Sequence, residues 1–293
     1  MKALQPGIVF PLSLPRYNRL MPELPEVETI IRRLREGPSP PIVGLRIDNL
    51  TSAWPRHFLS PSFDDAVRIL PGQTIQAISR HGKYFRFTLD DWDMLIHLRM
   101  SGDLVAMPTS HPPGRFDHTR FHLSDAIDLV FQDARKFGTI EILRDAGERL
   151  SKLGPDALDP ALDAERFHAR LSQHKRMLKP LLLDQSFLAG MGNIYTDEAL
   201  FLSRLHPRTR SHLLHPQQAS VLFNTIQQTL KEGIRRNGAS IDWVYRGGDF
   251  QNSFHVYQRT GEPCPVCGTP VQRIVVGQRG THLCPTCQPE VTA

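Results

Sequence analysis

Apolar positions along the chain change period about halfway. Val27, followed by Ile30, Ile31 and Leu34, recurs at helical spacing within residues 25–35, while Arg32, Arg33 and Arg35 fall toward water. This pattern predicts a short amphipathic helix. Strand-like runs follow at 74–79, 84–89, 94–98, 126–131 and 139–143, with clear alternation in Phe85-Arg86-Phe87-Thr88-Leu89 and Thr139-Ile140-Glu141-Ile142. Short strands separated by Gly and Asp turns predict a two-sheet β-sandwich.

Gly154-Pro155-Asp156 marks a boundary, and beyond it the period becomes helical at 163–171, 179–183, 193–202 and 217–237. Gly190-Met191-Gly192 precedes one of these runs, with Asn193 as the expected N-cap. Residues 238–262 are polar and poorly periodic, so a mobile loop is expected there. The fold class is therefore α+β. The expected division is an extension at 1–21, a sandwich at 22–153, a helical region at 154–262 and a small finger at 263–288.

Charge adds a partner class. Residues 166–259 hold 13 Lys/Arg against 6 Asp/Glu, so a net +7 occupies less than a third of the 293-residue chain. A basic region of this kind faces a polyanion, with nucleic acid first among candidates, or is simply solvated. No apolar run approaches the roughly 18 residues of a membrane span. Pro6, Pro11 and Pro15 interrupt any signal or transit helix, so a cytoplasmic protein without a membrane partner is expected.

All four cysteines lie near the C-terminal end. Cys264 and Cys267 form one Cys-x2-Cys knuckle, Cys284 and Cys287 another, and sixteen residues separate them. Two knuckles at this separation bring four thiolates into a closed tetrahedron, the form of one structural Zn2+ site. Strands at 271–276 and 281–283 are expected between them, joined by 277–280, with Arg279 at the hairpin tip. A tip arginine there either reaches a phosphate or sits in solvent.

Met21-Pro22-Glu23-Leu24-Pro25-Glu26 reads as a chain start placed inside the chain. As written, the Pro22 nitrogen is an amide without basicity. With the upstream residues removed or never translated, it is a secondary amine titrating near pH 8. The alternative is an ordinary helix-start Pro-Glu pair favoured by the helix dipole.

Taken together, Pro-Glu-Leu-Pro-Glu at 22–26, His81-Gly82-Lys83-Tyr84, Met100-Ser101-Gly102, Asp133-Ala134-Arg135-Lys136-Phe137-Gly138, Gly190-Met191-Gly192-Asn193-Ile194-Tyr195 and the four-cysteine finger carry a resemblance. The chain resembles the bacterial formamidopyrimidine-DNA glycosylases from Met21 to about Gln288. The resemblance implies a β-sandwich, a helix-two-turn-helix domain and a zinc-hairpin finger. It also implies excision of oxidised purines such as 8-oxoguanine, paired with cytosine, from duplex DNA by a monomer, followed by strand cleavage through β,δ-elimination.

By the same resemblance Pro22 is the nucleophile at the sugar C1′ and Glu23 the adjacent acid, with Glu26 in support. Lys83 assists elimination and Arg279 holds phosphates around the lesion. Met100, Arg135 and Phe137 fill the gap left by the flipped nucleotide and meet the orphaned cytosine. Lys175, Lys179, Asn193 and Tyr195 are implied backbone contacts, as is His118, although Phe116 stands where the family often has a second histidine. Residues 239–255 correspond to the loop over the flipped base. The sister family, endonuclease VIII, usually reads Pro-Glu-Gly-Pro where this chain has Pro22-Glu23-Leu24-Pro25. A non-catalytic DNA binder is the reading that remains if residues 1–20 stay attached.

Overall fold

The computed structural model describes residues 21–37, 40–240 and 247–290. The upstream extension therefore lies outside the described residues, apart from Met21, as do 241–246 of the expected lesion-covering loop.

Helix α1 (Leu24–Glu36) carries the buried stripe that its spacing predicts. After it in the sandwich come β1 (Ile47–Ser52), β2 (Phe58–Ser60), α2 (Phe63–Ile69), β3 (Ala77–His81), β4 (Tyr84–Thr88), β5 (Asp93–His97), β6 (Gly102–Pro108), β7 (Asp117–Leu123), β8 (Ile127–Asp133), β9 (Thr139–Leu143) and α3 (Gly147–Leu150). One sheet runs β1-β7-β8-β6 and the other β2-β9-β5-β4-β3, all neighbours antiparallel except β2 with β9. Phe85, Phe87, Ile96, Phe121 and Phe131 fill the space between the sheets.

The helical half comprises α4 (Ala164–Ser172), α5 (Leu178–Leu182), α6 (Asn193–Leu202) and α7 (Pro216–Arg235). Its core joins Phe167, Leu200, Leu222 and Ile226 to Phe250, Phe254 and Tyr257. The expectation of a mobile loop over 238–262 is thus wrong for its second half. Glu198, fully buried, accepts the backbone N–H groups of His255, Val256 and Tyr257 at 2.8, 3.0 and 2.9 Å. Irregular backbone that plants single aromatic knobs in a core leaves no period to read.

Helix α1 belongs to both halves. Leu24 packs into the helical core, whereas Val27, Ile30, Ile31 and Leu34 pack into the sandwich. Behind this seam, Asp156 accepts both terminal nitrogens of Arg80 and the backbone N–H of Gly82, and Arg80 also pairs with Glu28. Gly82 has φ +57, and a Cβ there would lie 2.9 Å from Ala189 Cβ, so the turn before Lys83 closes only with glycine.

The finger hairpin pairs β10 (Gln272–Val276) with β11 (Arg279–Leu283). Its link is two residues, not the four expected, because Gly277 and Gln278 both take positive φ (57° and 63°), the conformation that reverses a twisted hairpin most tightly. Arg279 accordingly opens β11 opposite Val276. Among the described residues, no helix is long and apolar enough to cross a membrane.

Candidate active site and nucleic-acid interface

The segment Pro22–Glu26 is buried at the seam between the two halves. Leu24 N–H donates to the Gly190 carbonyl at 3.1 Å, which draws the start of α1 against the turn leading into α6. The Glu23 carboxyl, 2% exposed, then caps α6. Its Oε1 accepts from Ile194 N–H at 2.9 Å and its Oε2 from Tyr195 N–H at 3.4 Å. A carboxylate at a helix N-terminus satisfies orphan donors and meets the favourable end of the helix dipole. The approach requires Gly192, since a Cβ there would fall 2.2 Å from Glu23 Cδ.

Burial pushes the Glu23 carboxyl above the ordinary range, against the Lys83 charge and the two N–H groups that favour ionisation. Glu26 is pushed up to about 7, first by burial and then by the neighbouring Glu23 charge. It accepts from Glu23 N–H, Tyr195 hydroxyl and Ala239 N–H, each at 2.8 Å. Lys83, 8% exposed, is pushed down by burial, with Glu23 and Glu26 opposing and Arg279 adding to the shift. The structure therefore brings Glu23, Glu26, Lys83 and Arg279 into one electrostatic cluster beside Pro22. Burial thus disfavours the charged form of both the Glu23 carboxyl and the Lys83 ammonium, the kind of shift that acid–base chemistry uses.

Met100, Arg135 and Phe137 also come together, and Met21, next to Pro22, lines the same groove as Met100 and Phe137. Phe137 is 52% exposed, the Arg135 guanidinium stands 5.0 Å above its ring, and Met100 and Phe137 line one open groove of about 580 Å³. Sequence alone favours a core position for a lone Phe or Met, but here both face outward.

Two expected phosphate contacts are placed otherwise. Lys179 is fully buried; its Nζ donates to Asp197 and to the Asn193 carbonyl, so its charge is spent inside the fold. Tyr195 is fully buried and stacks on Phe250 at 4.9 Å, its hydroxyl holding Glu26. Asn193 is not the N-cap of α6, which is Gly192; its amide donates to the Gly280 carbonyl at 3.1 Å and braces the finger. Lys175 is exposed, and His118 is half-buried, its ring edge-on to His57 at 6.2 Å.

Asp197 and Glu198, which the sequence reading passed over, explain how the finger is held. Asp197 accepts His282 N–H at 2.9 Å while pairing with Lys179, so one carboxylate joins α5, α6 and β11. Adjacent acids inside a helix with no other charged residue were the available signal.

The four cysteine sulfurs lie within 4.8 Å of one another, with Sγ–Sγ separations of 3.5 to 3.9 Å between Cys264 and Cys287, Cys267 and Cys284, and Cys267 and Cys287. Zn–S bonds of about 2.3 Å in a tetrahedron put sulfurs about 3.8 Å apart, so the donors fit zinc. These residues form one structural zinc site that would clamp a finger with only a small apolar core of its own, formed with Phe201 and Val256.

Family models describe the chain in three consecutive pieces. Residues 21–140 match the formamidopyrimidine-DNA glycosylase N-terminal domain, 153–244 its H2TH domain, and 261–289 a zinc finger found in FPG and IleRS. A formamidopyrimidine-DNA glycosylase of Chloroflexus aurantiacus is 41% identical over 278 residues, covering 92% of this chain and 98% of that protein. One of Symbiobacterium thermophilum is 40% identical over 278 residues, covering 92% and 90%. The Lactococcus lactis enzyme, solved in complex with a FAPY-dG containing DNA, superposes with a TM-score of 0.84 at 37% identity, covering 92% of this chain and all of that one.

Proposed function

Since the chain belongs to the formamidopyrimidine-DNA glycosylase family, we propose that Pro22, once freed of the residues before it, is the nucleophile of its reaction. The protein is a DNA glycosylase for oxidised purines in duplex DNA. The observation that carries the mechanism is the Glu23 carboxyl, buried beside Pro22 and locked onto the start of α6. The Pro22 amine attacks C1′ of the flipped nucleotide, and the glycosidic electron pair departs with the base, which takes up the proton that the proline nitrogen sheds. Glu23 protonates the ring oxygen as the sugar opens to an iminium ion between C1′ and the proline nitrogen. The iminium acidifies the C2′ proton. Lys83, its ammonium destabilised by burial, takes that proton, and the 3′-phosphate leaves; a second elimination releases the 5′-phosphate.

Arg279 and Lys83 hold phosphates of the lesion strand, with Asn193, Lys175 and His118 at or near the same backbone. Met100 and Phe137 occupy the gap, and Arg135 offers its planar donors to the unpaired cytosine. Lys179 and Tyr195 serve this interface from inside, by holding Asp197 and Glu26. In this reading 22–153 is the catalytic sandwich, 154–262 the helical DNA-binding domain with its lesion-covering loop at 239–255, and 263–288 the finger. Its working place is the nucleoid in the bacterial cytoplasm.

Cleavage of duplexes bearing 8-oxoguanine:C and thymine glycol:A, by protein beginning at Pro22, tests the reading. Preference for 8-oxoguanine is expected. Preference for thymine glycol would assign the chain the pyrimidine specificity of the sister enzyme.

A further inference from the structure

Asp133 ends β8 and is fully buried. It accepts the Ser101 hydroxyl at 2.7 Å and the backbone N–H groups of Arg135 and Gly138 at 3.2 and 2.7 Å. Ser101 Oγ itself accepts Arg135 N–H at 3.0 Å. One carboxylate thus ties the residue after Met100 to both ends of the turn that presents Arg135 and Phe137. Burial alone would raise this carboxyl, yet the hydrogen bonds from Ser101, Arg135 and Gly138, with His57 nearby, hold it below the ordinary range.

His57 stands behind Asp133, fully buried on a tight turn at Pro55–His57. Its ring lies 4.7 Å from that of Phe131, the same ring that would meet a Cβ on Gly138 at 2.2 Å. Its Nδ1 is 3.0 Å from Thr119 Oγ1, which in turn meets Ser52 Oγ at 2.9 Å. A Thr119 hydroxyl donating to Nδ1 leaves the imidazole proton on Nε2. That atom faces Asp133 Oδ2 at 3.6 Å and has no hydrogen-bond partner among the described residues. Thr119 and the Phe131 ring hold the imidazole, and its remaining buried nitrogen faces the carboxylate.

We infer that His57 is a positioning residue for reading the base opposite the lesion, acting through Asp133 on the two segments that present Met100, Arg135 and Phe137. The inference rests on the functional reading above. His57 touches no DNA; it fixes the carboxylate that fixes the donors, as a supporting shell does for any site needing sub-ångström placement.

Binding by the full zinc-containing protein tests this without requiring turnover. The probes are duplexes with a tetrahydrofuran abasic analogue opposite C or opposite A, and an undamaged duplex. His57→Phe keeps the ring and removes the donor, whereas His57→Gln keeps a donor where Nε2 was. The preference for C over A is expected to fall about tenfold in His57→Phe, the size of one good base contact, and to stay within about twofold in His57→Gln. Affinity for the undamaged duplex is expected to be the same in all three proteins. An unchanged preference in His57→Phe overturns the inference. So does a matching loss on undamaged duplex, which marks a merely structural role, or a failure of His57→Gln to restore the preference. A wild-type protein with no preference for C would instead remove the functional reading, and this inference with it.

Discussion

Gly192→Ala is the sharpest probe of the Glu23 pocket. The added Cβ would lie 2.2 Å from Glu23 Cδ and 2.5 Å from both Cγ and Oε1. Carbon atoms settle at about 3.5–4.0 Å, so one partner must move by roughly 1 Å or more. Glu23 has nowhere to swing, being 2% exposed and bonded to Ile194 and Tyr195, and α6 is anchored by Asp197 and Glu198. A shift of that size breaks the 2.9 Å bond to Ile194 N–H. Overpacking of this kind costs about 1–3 kcal/mol of stability, or about 2–5 °C in Tm. The effect on chemistry is larger, since a misplacement of roughly 1 Å lowers a rate by about a hundredfold. Single-turnover excision from an 8-oxoguanine:C duplex, with Tm measured beside it, separates the two. Gln228→Ala, at an exposed position of α7, is the control. A folded Gly192→Ala protein that excises within about threefold of wild type would refute the placement of Glu23 as the acid.

Two further outcomes are expected. Between pH 4.5 and about 7 the native state keeps the Glu26 proton that the unfolded chain releases, so stability falls as pH rises through that window, by up to about 3 kcal/mol. Glu26→Gln is expected to remove this decline from urea midpoints measured across the window, and parallel curves for the two proteins would contradict it. Stripping zinc with a chelator is expected to release one ion per chain and to weaken binding to lesion DNA more than tenfold, because the finger that presents Arg279 depends on the metal. Unchanged affinity in the metal-free protein would show that the finger holds without it.

Much of this was readable wherever a local pattern and a local role coincide. The helix at Asn193–Leu202 and the strand at Thr139–Leu143 occupy the expected spans residue for residue, and the cysteine spacing predicts a cluster that the structure forms. Strands β1, β6 and β7 escaped because they pair across the chain in the order β1-β7-β8-β6, and β7, Asp-His-Thr-Arg-Phe-His-Leu, is polar enough to read as loop. Its Arg120 is buried only because Asp117 and Asp128 pair with it. Lys179 misled for the same reason: nothing near it announces that Asp197, eighteen residues on, will take it out of solvent. His57 left no motif at all, since its role depends on Asp133, which only the sandwich brings near.

The central claim is that the Pro22 nitrogen does the chemistry. Borohydride trapping of the protein on an 8-oxoguanine:C duplex, followed by peptide mass mapping, tests it in one experiment. The account predicts a reduced sugar on the nitrogen of an N-terminal Pro22. A covalent adduct on Lys83, or on a chain still carrying Met21 before Pro22, would contradict it.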